Sequence, residues 1–200
     1  LQFLPESLVL AAPFLALWML SPEIARRISL PPRAARVVPL TPSHEALLRL
    51  AARRTWRFFE RFVGPEDQAL PPDNFQEDPA PVIAHRTSPT NIGLYLLATV
   101  CARDFGWIGL LDCVERLEAT LDTLFRMERF RGHHYNWYDT RTLRPLDPLY
   151  VSSVDSGNLA GHLTALAQAC LEQIDRPLLA PSALTGIGDA ARITVSAVTP

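Results

Sequence analysis

Two adjacent stretches decide the fold: residues 88–104, SPTNIGLYLLATVCARD, and residues 107–129, WIGLLDCVERLEATLDTLFRMER. Ser88-Pro89 pairs a capping hydroxyl with proline at the first helical position, and predicts a helix from there to about Asp104. Its body is apolar on nearly every side, so it is surrounded by protein. The second stretch predicts a helix of the opposite kind, about Trp107 to Arg129. Leu110, Val114, Leu117, Leu121 and Leu124 recur at steps of four and three, and Asp112, Glu115, Arg116, Glu118, Asp122 and Arg126 fill the rest. One of its faces lies in water. Only Phe105-Gly106 separates the two helices.

The same pair recurs on either side. Upstream, Thr41-Pro42 repeats the cap device and opens an amphipathic helix to about Phe62, with Leu48, Ala52, Phe59 and Phe62 on one face and Arg49, Arg53, Arg57 and Arg61 on another. Downstream, about Asp155 to Gln173 is again apolar on most sides. Ser182–Ala191 can form a further helix, and Arg192–Val198 has the only strand-like alternation. Long polar breaks, Gly64–Thr87 and Phe130–Val154, precede the two buried helices. Helices that alternate amphipathic and buried, with short turns one way and long loops the other, predict an all-α fold: about the first third of an (α/α)6 toroid. Its inner helices all run the same way. Their N-termini and the long loops therefore meet at one rim.

Residues 7–22, SLVLAAPFLALWMLSP, carry no charge and are followed by Arg26, Arg27, Arg33 and Arg36. Sixteen residues fall short of the ~20 needed to span a bilayer, so this run is either the end of a membrane-spanning helix or a buried helix. The arginine flank favours the membrane, with the downstream chain on the cytoplasmic side. The predicted organisation is an apolar helix over 1–22, a Pro/Arg linker over 23–40, and the toroid from 41 to 200. The chain begins at Leu1, as a piece of something longer would. A net charge of −2 over 200 residues gives no support to nucleic-acid binding, and 48% hydrophobic content excludes a disordered tail. The eighteen prolines punctuate the apolar segments, and all nineteen basic side chains are arginine. Cys101, Cys113 and Cys170 form no CxxC pair and read as small buried hydrophobes.

Three polar-aromatic clusters fall on the predicted rim: HRTSPTN (His85–Asn91), YNWYD (Tyr135–Asp139) and SSVDSGN (Ser152–Asn158). Sugar faces stack on indole and phenol rings, while carboxylates, amides and guanidinium groups bond hydroxyls. The candidate substrate-binding residues are Arg86, Thr87, Ser88, Asn91, Trp137, Tyr138, Asp139, Asp155 and Asn158. Ser88, Asp155 and Ser156 can equally serve as helix caps, Arg86 can pair with Asp73 or Asp78, and Trp137 and Tyr138 can anchor a loop. No catalytic residue is assigned. Glycoside chemistry needs a pair of carboxylates, ~5–5.5 Å or ~6.5–9.5 Å apart. Only Asp139 and Asp155 lie in the rim motifs, with no Glu beside them. His133-His134 has no third ligand at metal spacing, so no metal is expected. His162, in an apolar helix, reads as a satisfied core histidine.

Several strings resemble the cyclic β-1,2-glucan synthase family: WRFFERFV, LPPDNFQEDPAPVIAHRTSPTNIGLYLLA, ARDFGWIG, RLEATL and GHHYNWYDTRTLRPLDPLYVSSVDSGNLAGHL, within roughly Thr55 to Cys170. The resemblance implies a very large enzyme of the bacterial inner membrane. One region extends a β-1,2-glucan from UDP-glucose, and a middle (α/α)6 domain closes the chain into a ring by transglycosylation with retention. This segment would join the last membrane stretch to the start of the cyclising toroid, on the cytoplasmic side. Its partners would be the glucan chain, the inner membrane and the remaining domains of the same polypeptide, with no nucleic acid. It would hold no cofactor, UDP-glucose serving the transferase region, and its catalytic carboxylates would lie further along the chain. The alternative is a non-catalytic helical glucan-binding or scaffold module.

Overall fold

The computed structural model describes residues 5–30 and 39–198. The chain divides into an N-terminal unit ending at Thr41 and a second unit from Pro42 onward. In the first, α1 (Pro5–Ser29) is one continuous helix that takes Pro13 and Pro22 within it. It extends beyond the apolar run because Glu23 bridges forward to both Arg26 and Arg27, at 2.7 and 2.8 Å. These arginines, placed in a linker by composition, belong to the last turn. The 22 residues Leu8–Ser29 are long and apolar enough to cross a membrane. Arg33, Arg36 and residues 31–38 of the expected linker lie outside the described residues.

The second unit is built from α2 (Pro42–Phe62), α3 (Pro89–Asp104), α4 (Leu110–Arg126), α5 (Ser153–Ile174) and α6 (Ser182–Val198). Short strand pairs brace the long loops: β1 (Phe75–Gln76) with β2 (Val82–Ile83), β3 (Arg86–Thr87) with β6 (Tyr138–Asp139), and β4 (Arg129–Phe130) with β5 (His133–His134), all antiparallel. Ser88 caps α3 as expected, its hydroxyl accepting from the Asn91 amide at 3.2 Å. α4 is shorter than its periodicity suggests. Trp107 stacks on Phe105 at 4.6 Å and donates to Asp189, while Arg129 is drawn into β4. α5 starts earlier than expected, because Ser152 is the residue that caps it, through the Asp155 amide. The last segment continues as helix through Val198, so no strand forms there.

Helix directions follow from the end contacts. Thr90 and Asp155 meet at the start of α3 and α5, and Asp104 meets Gln173 and Arg176 at their ends, so the two helices run parallel. α4 returns antiparallel, its Cys113 thiol beside the Thr99 carbonyl. α2 is also antiparallel to α3, with Trp56 stacked on Tyr95 at one end and Arg49 reaching the Phe105 carbonyl at the other, and α4's Arg116 lies over Trp56. Parallel inner helices flanked by antiparallel outer ones are the expected arc of an α/α toroid.

The core centres on Ile92, Tyr95, Leu96 and Val100 of α3, with Trp56, Leu70, Leu117, Leu124 and Leu159 around them. α3 and α5 approach closely at Gly93, where a Cβ would collide with the His162 ring. Among the described residues His162 Nδ1 has no hydrogen-bond partner, which differs from the satisfied histidine expected. The packed face of α2 also differs from the expected one. Leu48 is exposed, whereas Arg49 and Arg53 lie inward. Arg49 pairs with Asp189 at 2.6 Å and lies over Phe105, while Arg53 pairs with Glu60 at 2.8 Å and lies over Trp107. A guanidinium stacked on a ring and paired with a carboxylate is at home in a part-buried seam. α5 is less enclosed than its composition implies, because among the described residues only α3 packs along its length. Leu171 is 58% exposed and Val154 68%. Of the cysteines only Cys113 is buried; Cys101 and Cys170 are exposed.

Candidate carbohydrate-binding rim

The three clusters do converge at the N-termini of α3 and α5. β3 pairs with β6 so that Arg86 stands opposite Asp139 and Thr87 opposite Tyr138, which joins the first long loop to the second. The Arg86 guanidinium lies 5.0 Å over the Trp137 ring and pairs with Asp73 at 2.9 Å. The other Asp73 oxygen accepts from Asn91 Nδ2 at 3.3 Å. Asn136 is satisfied in one amide orientation. Its nitrogen donates to Asp155 at 2.9 Å, and its oxygen accepts from the Trp137 indole at 2.7 Å and the Tyr150 hydroxyl at 2.6 Å. Asp155 also accepts from Thr90 Oγ1 at 2.7 Å, and Thr90 Oγ1 in turn accepts from Asn158 at 3.1 Å. One hydrogen-bonded and stacked network therefore runs from Asp73 through Arg86, Trp137, Asn136 and Asp155 to Thr90 and Asn158.

Asp155 is the hub. Burial works to raise its pKa, but hydrogen bonds from Ser152, Thr90 and Ser88 together hold it below the ordinary carboxylate value. Asp139 is likewise held low. Burial opposes the shift, and the amides of Thr142 and Arg141, the Thr142 hydroxyl and the Arg141 charge outweigh it. Both carboxyl groups stay ionised as hydrogen-bond acceptors. Neither has the raised pKa of a general acid.

Several of the candidate sugar contacts have structural duties in the packing. Tyr138 is fully enclosed. Its hydroxyl donates to the Glu128 carbonyl at 2.6 Å and accepts from the Tyr135 amide at 2.7 Å, and its pKa is pushed up by burial to about 12. Thr87 is also fully enclosed and Ser88 nearly so, the latter spent on capping α3. The Asp139 carboxylate turns inward on its own loop, accepting from the amides of Arg141 and Thr142. Among the candidates, Arg86 and Asn158 are exposed, and Asn91, Trp137, Asp139 and Asp155 are part-exposed.

Behind them lies a brace that the sequence did not single out. Asp67, 6% exposed, accepts from the Thr140 hydroxyl and from His85 Nδ1 at 2.8 Å, and Arg141 donates to His85 Nε2 at 2.8 Å. His85 lies in a rim motif, but Asp67 sits in GPEDQ with no pattern to mark it. Thr90 and Asn136 lie in rim motifs, but their shared partner, Asp155, comes from the third cluster, and Asp73 is the partner expected for Arg86. Away from the rim, His134 is buried and its pKa is lowered to about 4, first by burial and then by the Arg129 charge. Among the described residues, no group of three metal-ligating side chains lies together.

The chain is 52% identical over 193 residues to the cyclic beta-(1,2)-glucan synthase NdvB of Rhizobium meliloti (strain 1021). The match covers 93% of this chain and 7% of that protein, so the chain spans a small part of the relative's length. The resemblance carried by the rim and helix strings is thereby borne out. No family model matches the chain. A crystal structure of a proposed glucoamylase from Bacteroides fragilis NCTC 9343 is similar in fold, with a TM-score of 0.54 at 18% identity, over 80% of this chain and 37% of that one. The likeness bears out the toroid architecture.

Proposed function

We propose that the second unit is one wall of the glucan-binding cleft in the domain that closes β-1,2-glucan into rings, within a membrane-anchored cyclic glucan synthase. The observation that carries this reading is Trp137. Its indole is pinned edge-on by Asn136 and overlain by Arg86, in the middle of a continuous polar network. A sugar ring lying against the indole would meet hydroxyl partners on both sides: Arg86 and Asn91 toward α3, Asp155 and Asn158 toward α5. Fixed, ionised carboxylates suit binding and orientation of hydroxyls, not proton transfer. The carboxylates that break and form the glycosidic bond are then supplied by other parts of the toroid. α1 would anchor the protein in the bacterial inner membrane with the toroid on the cytoplasmic side, and UDP-glucose would serve a separate transferase region.

The structural duties of Tyr138, Thr87, Ser88 and Asp139 favour one further reading, a rim that acts as scaffold and does not touch glucan. Titration of the intact enzyme with linear β-1,2-glucan separates the two. Trp137→Ala removes a stacking surface of roughly 1.4 kcal/mol, so the dissociation constant is expected to rise about tenfold. An unchanged dissociation constant in a normally folded variant would favour the scaffold.

A further inference from the structure

α2 carries five arginines between Arg49 and Arg61, and they divide into two sets. Arg49 and Arg53 are neutralised by Asp189 and Glu60. Arg54, Arg57 and Arg61 make no ion pair among the described residues, and all three line one cleft of about 390 Å³ against the β1 strand. Its walls are aromatic. Phe62 and Phe75 pack with ring centroids 4.7 Å apart, and the Arg61 guanidinium lies 5.2 Å from one centroid and 5.6 Å from the other. Glu77 is the only acidic residue lining it. Three guanidinium groups with one carboxylate leave a net positive cleft. The aromatic walls orient Arg61 and lower the local dielectric, which strengthens its pull on an anion.

We propose that this cleft is an anion site for a phosphate ester. Guanidinium groups match phosphate oxygens bidentately, and the cleft is the size of one head group. The proposal stands apart from the glucan reading, because none of these residues belongs to the rim. The chemistry is shared by an anionic phospholipid head group and a soluble phosphate. The lipid is the favoured source, since α2 comes after an apolar helix and a run of arginines in the sequence, the pattern that recruits anionic lipid at a membrane surface.

The test is hydrogen exchange of residues 54–77 in the intact protein, held in nanodiscs of phosphatidylcholine with or without phosphatidylglycerol. Pyrophosphate is added to the neutral discs as the soluble probe. Anion binding at ten times its Kd is expected to slow local exchange roughly tenfold. Slowing only with phosphatidylglycerol identifies the lipid, and slowing with pyrophosphate in neutral discs identifies a soluble phosphate. Both support the site if Arg54→Gln, Arg57→Gln and Arg61→Gln together abolish the effect. These side chains are exposed whereas Trp56 is buried, so the core contact of α2 is kept, and an unchanged exchange rate at 92–100 verifies that. No anion-dependent slowing, or slowing that survives the triple substitution, overturns the proposal. So does protection already complete in neutral discs and lost in the triple variant, which would mean that another protein segment fills the cleft.

Discussion

Asp155→Ala is expected to destabilise the toroid by about 3 kcal/mol, since it orphans the Thr90 hydroxyl and the buried Asn136 amide at once. In a unit of this size that lowers the melting temperature by roughly 6–12 °C. The loss is not confined to packing. Asn136 positions the Trp137 indole, so the variant releases the stacking surface as well. Asp155→Asn keeps the shape and one acceptor oxygen and should recover part of the loss. The wild-type protein carries a matching acid signature. The folded pKa of Asp155 lies below its unfolded value near 3.9, so its contribution is fully present above about pH 4 and is lost as pH falls through the folded value. Asp155→Ala should lack that increment. Equal melting of variant and wild type at pH 7 would show that the hub holds nothing together.

Asp67→Ala is expected to have a comparable effect, about 3 kcal/mol, by a different route. Its carboxylate is buried and satisfies His85 and Thr140, one from each long loop. Removing it leaves a buried hydroxyl and an imidazole without their acceptor, while Arg141 still holds the other ring nitrogen. The two loops should then separate around β3 and β6. Faster hydrogen exchange is expected at Arg86–Thr87 and Tyr138–Asp139, with the α3–α4 core unchanged. Unaltered exchange in those strands would mean that the strand pairing alone joins the loops.

What was legible in the sequence was periodic or local. The apolar body of α3, the stepped leucines of α4 and the Ser88-Pro89 cap declare themselves within one or two turns, and they gave the helix order and hence the toroid. The rim came with it, because parallel inner helices force their N-termini together. Individual roles were less legible. Tyr138 and Trp137 are adjacent aromatics in one motif, yet alternation along β6 and its neighbour sends Tyr138 into the core and leaves Trp137 part-exposed. Arg49 and Arg53 looked solvent-facing because charge usually is, but rings at Phe105 and Trp107 and the carboxylates of Asp189 and Glu60 receive them. Asp73 was readable as a partner for Arg86, but Asp67 sits in a Pro/Asp-rich loop whose composition says only that it turns, and its partners His85 and Thr140 come from folding.

The most direct test is the ratio of cyclic to linear β-1,2-glucan made from labelled UDP-glucose by the intact enzyme bearing Trp137→Ala. A wall of the cyclising cleft predicts that ring formation falls about tenfold, from the roughly 1.4 kcal/mol of stacking removed, while linear chain growth continues at the wild-type rate. Wild-type ring yield, or an equal fall in both products, would contradict it.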